Sequence, residues 1–400
     1  MTQSFAHPTI VKGVQLKLIT TIIQIHIIYI LLRHLKSLKK ALQTARKFRA
    51  QIKLYRGQNG IQKLIKVGRK YYWDMYGAAW PSAGFVRNVK RECNRVNASG
   101  VAHVGMRNVL FAITTKCPLQ CEHCFEWNNL NKPERLSLSD LHLSIDKLIA
   151  YGAGQIHLSG GEPMMRYDDI ISLLKTYHHK VGFWIYTSGY GVSPGKAKAL
   201  KKAGLTGMSI SLDHFDEGWH NKFRHYKNAF NIAQEAVDAC REAGLVTTLT
   251  ICVTKEFISR QNLETYLQMA KSLGVSFVQI LEPKAVGHYE GKPVHLSTDE
   301  KKVLSDFYLE TISNPQYQDF PGVMYHEHYK ESLGCRGAGN GAFYIDPLGG
   351  VHACPFCRHS VGNLVTDSIE DCVNRLWSNG CGVTELPKIK ERVAPVFATS

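Results

Sequence analysis

A chain of 400 residues with 44% hydrophobic and 20% charged side chains can bury a sizeable core, which excludes a disordered protein and fits one large α/β domain with appendages. Its net charge of +16 is confined to one end: residues 1–100 hold 19 Lys and Arg against two acids, Asp74 and Glu92, and the other 300 residues are nearly balanced. Eleven cysteines, most of them in two groups and with no cleavable signal before them, exclude a secreted disulfide framework and place metal sites in a reducing, cytoplasmic setting.

Residues 18–32 carry no formal charge, and ten of these fifteen are Ile or Leu. That is short of the roughly 20 apolar residues that cross a bilayer, and no small-x-small cleavage site follows it. Ile28, Leu31, Leu35, Leu38 and Leu42 then recur at helical spacing, with Arg33, Lys36, Lys39 and Lys40 off that stripe. The pattern predicts a helical, basic segment over residues 1–100 that lies peripherally on the anionic cytoplasmic face of a membrane. Packing on the protein's own body or on a second copy stays open. If the segment crossed instead, its positive flank would leave the remaining chain in the cytoplasm. The long Ile/Leu run argues against a nucleic-acid arm. The aromatics that follow, Tyr71, Tyr72, Trp73, Tyr76, Trp80 and Phe85, fit a packed linker, an interfacial anchor or a cover over an active site.

From residue 105 onward, short apolar runs alternate with helical patterns. Strands are expected at 109–115, 155–159, 181–187, 207–212, 247–253 and 276–281, with helices at 138–150, 170–177, 197–203, 229–243 and 263–273. Six strand–helix units with right-handed crossovers predict an α/β fold, a partial (β/α)6 TIM-like barrel over residues 105–295. A small Cys-rich C-terminal extension over 296–400 follows it. Ligands in such sheets bind at the carboxyl ends of the strands.

The first strand runs into Cys117-Pro-Leu-Gln-Cys121-Glu-His-Cys124-Phe125. Three thiolates in eight residues can hold a four-iron cluster and leave one iron open, because such a cluster normally takes four ligands. A zinc site with His123 as fourth ligand is the competing reading. The second strand leads directly into Gly160-Gly161-Glu162-Pro163, where paired glycines allow a close backbone approach. The third ends Tyr186-Thr187-Ser188-Gly189, and the fourth gives Ser209-Ile210-Ser211-Leu212-Asp213, followed by His220 and Arg224.

Together these segments resemble the radical S-adenosylmethionine (SAM) superfamily, with its C-x3-C-x2-C motif after the first strand. The resemblance implies a [4Fe-4S] cluster on Cys117, Cys121 and Cys124 whose open iron chelates SAM, and reductive cleavage of SAM to a 5′-deoxyadenosyl radical that abstracts hydrogen from a substrate. It implies SAM contacts from Phe125 beside the adenine, from Gly160, Gly161 and Glu162, and from Thr187, Ser188, Ser211 and Arg224. An electron donor such as a flavodoxin or ferredoxin is implied as partner.

A second group begins at Cys335. A strand at 342–346, a Pro347-Leu348-Gly349-Gly350 turn and a return at 351–354 form a hairpin that brings Cys335 toward Cys354 and Cys357. This segment resembles the SPASM or twitch extension of radical SAM enzymes, which implies one auxiliary [4Fe-4S] cluster on Cys335, Cys354 and Cys357. Its fourth ligand is expected at Cys381 rather than Cys372, which falls in a helix over 368–377 and packs in the core. Structural zinc is the alternative for this group.

The substrate does not follow from the motifs. A peptide or protein is favoured, a lipid-linked or small-molecule substrate at the membrane is the alternative, and a non-catalytic iron–sulfur or zinc scaffold is the reading from another class.

Overall fold

The computed structural model describes residues 8–56, 61–97, 105–328, 330, 335 and 337–379; Cys381 lies outside them. The centre is a twisted sheet of strands β4 (Asn108–Ala112), β5 (Gln155–Ser159), β6 (Gly182–Thr187), β7 (Gly207–Ser211), β8 (Val246–Cys252) and β9 (Phe277–Leu281). They are parallel and hydrogen-bonded in sequence order. Helices α4 (Leu138–Ala150), α5 (Tyr167–Tyr177), α6 (Pro194–Ala203), α7 (Glu217–Arg224), α8 (Ala229–Glu242) and α9 (Arg260–Ser272) connect them. This is the partial TIM-like barrel expected from the alternation of apolar runs.

Strand and helix boundaries follow from local chemistry. On α4 a capping box satisfies the first turn: Ser137 Oγ accepts from Asp140 N while the Asp140 carboxylate accepts from Ser137 N. On α6 Ser193 caps the start, Pro194 occupies the first turn, and Gly204 ends the helix in the left-handed region. Along each strand one set of side chains, such as Ile156, Leu158, Phe183, Ile185, Met208, Ile210, Leu249 and Ile251, joins the main core with the helices. The alternate set faces the barrel interior and is polar in its middle layer: Ser209 hydroxyl bonds Thr250, and Thr250 bonds Gln279.

Two additions extend the sheet past the six expected strands. After α10 (Thr298–Ser313), strand β10 (Gly322–Tyr325) pairs parallel to β9 and becomes that edge. At the other edge β11 (Ala342–Ile345) pairs parallel to β4 and continues through the antiparallel strands β12 (Gly350–His352) and β13 (Ser360–Asn363). The C-terminal hairpin is thus a continuation of the barrel sheet, followed by α11 (Ile369–Asn379).

The N-terminal residues build a separate small body. Strand β1 (Thr9–Val11), α1 (Gly13–Leu35), α2 (Leu38–Arg56), the hairpin β2 (Leu64–Val67) and β3 (Lys70–Tyr72), and α3 (Ala83–Asn97) share a core of Leu16, Ile23, Ile30, Leu31, Leu64, Phe85 and Val89. The loop after β3 is closed by paired backbone bonds between Tyr71 and Trp80. It pushes Met75 and Tyr76 against Trp184, Val246 and Phe277 at the strand beginnings. Tyr76 stacks on His157 at 5.5 Å and bonds the hydroxyl of Tyr186 and the amide of Gln279. Tyr72 and Tyr76 therefore plug the barrel at the end opposite the strand carboxyl termini, while Tyr71, Trp73, Trp80 and Phe85 pack in the core of the N-terminal body. They do not cover the active-site end.

Candidate active site at the carboxyl ends of the strands

The loop after β4 carries Cys117, Cys121 and Cys124, all free thiols. Its shape is held from several sides. Asn131, itself left-handed at φ 58°, exchanges side-chain bonds with both the N–H and the C=O of Cys117. Gln120 N and Glu122 N donate to the carbonyls of Arg224 and Phe223 at the end of α7. From the far edge, His288 N donates to Cys124 O at 3.0 Å, His288 Nδ1 meets Cys121 O at 3.1 Å, and the His288 ring stacks on Trp127 at 4.0 Å. At Gly287, φ is 60° and a Cβ would lie 2.3 Å from Cys124 O. Nothing in the motif pointed to His288; a Gly-His pair just past a strand end is its only trace in the sequence.

Gly160 and Gly161 pass directly against this loop. Gly161 N donates to Thr114 O at 2.8 Å and Glu162 N to Lys116 O at 2.7 Å. A Cβ on Gly161 would stand 2.3 Å from Lys116 O and 3.0 Å from Cys117 Cβ. The backbone approach that the glycines permit is thus, first of all, an approach to the cysteine loop.

Glu162 is 1% exposed. Its Oε1 accepts from Thr187 Oγ1 and Met164 N, and its Oε2 accepts from both N and Oγ of Ser188. Burial raises its carboxyl above the usual range, and the donors from Ser188 and Thr187 oppose that. Three expected SAM contacts, Glu162, Thr187 and Ser188, therefore form one hydrogen-bonded knot. Ser211 ends β7, half-buried.

Arg224 is tied to Asp213 beside the cysteine loop. Its Nε and Nη2 bond Asp213 Oδ2 at 2.7 and 2.5 Å, and Nη1 lies 3.5 Å from Cys121 Sγ. Asp213 in turn accepts from Cys252 N, and its own N–H donates to His220 Nδ1. Burial opposes charge on Arg224, but the Asp213 carboxylate outweighs it and holds the guanidinium protonated. A fixed cation next to Cys121 favours its thiolate.

The donors themselves fit a cluster. Burial pushes the Cys117 thiol up to about 12, and the neighbouring Cys121 adds to it; Cys121 and Cys124 are raised as well, Cys124 also by its two partners. Three crowded thiols that resist ionisation together suit a cationic iron–sulfur core, which supplies the missing positive charge. His123 is half-buried, its ring stacks on Phe223, desolvation lowers it to about 4, and its buried Nδ1 has no hydrogen-bond partner. Among the described residues no three His, Cys, Asp or Glu side chains converge as a single-ion site.

The second cysteine group adjoins the first. Gly337 lies between Cys335 and Cys354, with its N–H on Cys335 Sγ and a virtual Cβ 3.6 Å from Cys354 Cβ. Cys357 N donates to Cys354 O. Cys372, on α11, is fully buried in the main core. Phe125 makes edge contacts with Tyr344 and with Phe356, which sits between Cys354 and Cys357. Arg358 donates to Phe125 O and to the buried Glu126, which also accepts from Tyr344 Oη and Asn129. This clip between the two groups was not apparent from the sequence.

The comparisons with known proteins agree with this arrangement. Residues 111–269 match the radical SAM superfamily model. The chain carries a radical SAM domain and is an enzyme. It is 25% identical over 271 residues to mycofactocin maturase MftC of Mycolicibacterium smegmatis, covering 64% of this chain and 66% of that protein. To Fe-coproporphyrin III synthase of Methanosarcina barkeri it is 33% identical over 151 residues, 37% of each chain. Streptococcus suis SuiB, solved with its precursor peptide SuiA, superposes with a TM-score of 0.57 at 15% identity, over 84% of this chain and 77% of that one. A radical SAM domain implies a [4Fe-4S] cluster and SAM as cofactors.

Proposed function

We propose that this enzyme generates a 5′-deoxyadenosyl radical beside the loop of Cys117, Cys121 and Cys124 and uses it to abstract hydrogen from a peptide. The observation that carries the proposal is the contact of Gly160 and Gly161 with the backbone of Thr114–Cys117. It supports the proposal because a SAM molecule held by this segment would lie beside a cluster held by that loop. When bound, the cluster supplies an open iron for SAM and the electron that cleaves its sulfonium bond. The chain's own residues position and shield. Arg224 and Asp213 hold Cys121, and the Glu162–Thr187–Ser188 knot and Ser211 shape the SAM side. Phe125, between the two cysteine groups, offers an aromatic face for the adenine. Cys335, Cys354 and Cys357, with Cys381 as fourth ligand, would hold an auxiliary cluster; a flavodoxin or ferredoxin would supply electrons.

A peptide is favoured by the likeness to SuiB, which was solved with one and which matches 84% of this chain. The Fe-coproporphyrin synthase keeps a small molecule open. A lipid-linked substrate has less support, because the apolar N-terminal body that motivates it sits at the plugged end of the barrel. The test is anaerobic reconstitution with iron, sulfide, SAM and dithionite. The wild type should form 5′-deoxyadenosine, and a Cys117→Ala/Cys121→Ala variant none. No product from a fully iron-loaded wild type would refute the proposal. Short peptides encoded beside this gene should raise the rate and change mass; if tetrapyrroles or lipid-linked compounds do so instead, the peptide assignment fails.

A further inference from the structure

Helix α1 keeps one face for the protein and one for something else. Leu16, Ile23, Ile30 and Leu31 pack on β1, α2 and α3. Val14, Leu18, Ile22, Ile25, Tyr29 and Leu32, at steps of three and four, form an uninterrupted apolar stripe on the opposite side. Val14 is 85% exposed, Leu18 60% and Ile25 62%. Leu38, Leu42 and Ile52 of the adjoining α2 are exposed as well. Ordinary soluble surfaces scatter single apolar residues and do not align them along 20 residues of helix.

Charge decides the occupant. No acidic residue precedes Asp74 in the sequence, and Lys17, Arg33, Lys39, Lys40, Arg46 and Arg49 of α1 and α2, with Lys36 between them, are all exposed. Two copies of this face would bring like charges together, whereas an anionic lipid surface takes both the apolar stripe and the cations around it. By length and composition α1 could also cross a bilayer. Its inner face argues for lying flat: beyond the packed core, Trp80 Nε1 donates to His26, Arg49 to Gln24, and His34 meets Asn94. Spanning would strip all of these from α1.

We infer that α1 and α2 form an in-plane docking surface for a bilayer rich in anionic lipids. It is independent of the radical chemistry, since this body packs at the strand beginnings, away from the cysteines, and so leaves the active-site end unblocked.

The test uses the full chain and flotation with vesicles of phosphatidylglycerol and phosphatidylcholine in equal parts, beside pure phosphatidylcholine. The wild type should float with the mixed vesicles and release as salt rises. Leu18→Glu/Ile25→Glu, at exposed positions that leave the core intact, should bind at least about tenfold more weakly and form 5′-deoxyadenosine at the wild-type rate. Arg33→Glu/Lys36→Glu/Lys39→Glu should lose the preference for anionic vesicles. The inference is overturned if the wild type fails to float, or if Leu18→Glu/Ile25→Glu floats as it does. Resistance of the bound wild type to alkaline carbonate would mean a spanning helix. A dimer that the Leu18→Glu/Ile25→Glu change splits, without vesicle binding, would assign the stripe to a second copy.

Discussion

Replacing Gly161 with Ala tests whether the SAM segment and the cysteine loop act as one unit. The added Cβ would stand 2.3 Å from Lys116 O and 2.6 Å from its carbonyl carbon, both backbone atoms that cannot swing aside, where ordinary contact begins at 3.4 Å. One of the two segments must therefore move by about 1 Å, and a displacement of that size at a reacting centre costs on the order of 100-fold in rate. The cost to folding is smaller, about 1–3 kcal/mol for an overpacked site, with the bond from Glu162 N to Lys116 O weakened as well. The assay pairs iron content and 5′-deoxyadenosine yield with thermal unfolding. Gly195→Ala is the control, because a Cβ there meets nothing within 4 Å. Gly161→Ala should stay folded and lose most of its yield, while Gly195→Ala matches the wild type. A Gly161→Ala enzyme with wild-type iron and wild-type yield would refute the reasoning, since it would show that the contact is not needed to place either group.

Three further outcomes are expected. Arg224→Met should destabilise the chain by about 3–5 kcal/mol, because it strands the buried Asp213 carboxylate, and Asp213→Asn/Arg224→Met should recover much of that in chemical denaturation. His157, held neutral by burial at about 3 against an ordinary 6.5, binds its proton only in the unfolded chain, so it costs stability as pH falls below 6.5. Urea midpoints at pH 7 and pH 5 should show a loss of about 2 kcal/mol from this residue, absent in His157→Gln; an equal loss in that variant would exclude the assignment. Iron per chain should fall from about eight to about four in Cys335→Ala/Cys354→Ala, and in Cys372→Ala it should stay at the wild-type level while thermal stability drops.

What the sequence disclosed was chemistry whose parts are neighbours along the chain. Three cysteines within eight residues, a Gly-Gly-Glu-Pro at a strand end and a Cys-bearing hairpin state their spacing directly, and buried parallel strands announce themselves as apolar runs. Contacts between distant segments left no such mark. Arg224 reaches Cys121 across 103 residues, and Thr187 and Ser188 bond Glu162, 25 and 26 residues away. Strand β10 is four residues with a glycine first, too short for its pattern to stand out, and is a strand because β9 offers it an edge. The plug shows the same limit from another side. Tyr76 belongs to an aromatic-rich stretch whose role the sequence leaves open, and only the loop closure between Tyr71 and Trp80 aims it into an interior shared with His157, Tyr186 and Gln279. A barrel lined by such groups, if left open at the strand beginnings, would admit water to the end opposite its radical chemistry. The basic body that presents the apolar stripe of α1 is also the body that supplies the plug, so sealing and surface attachment are linked in one structural unit.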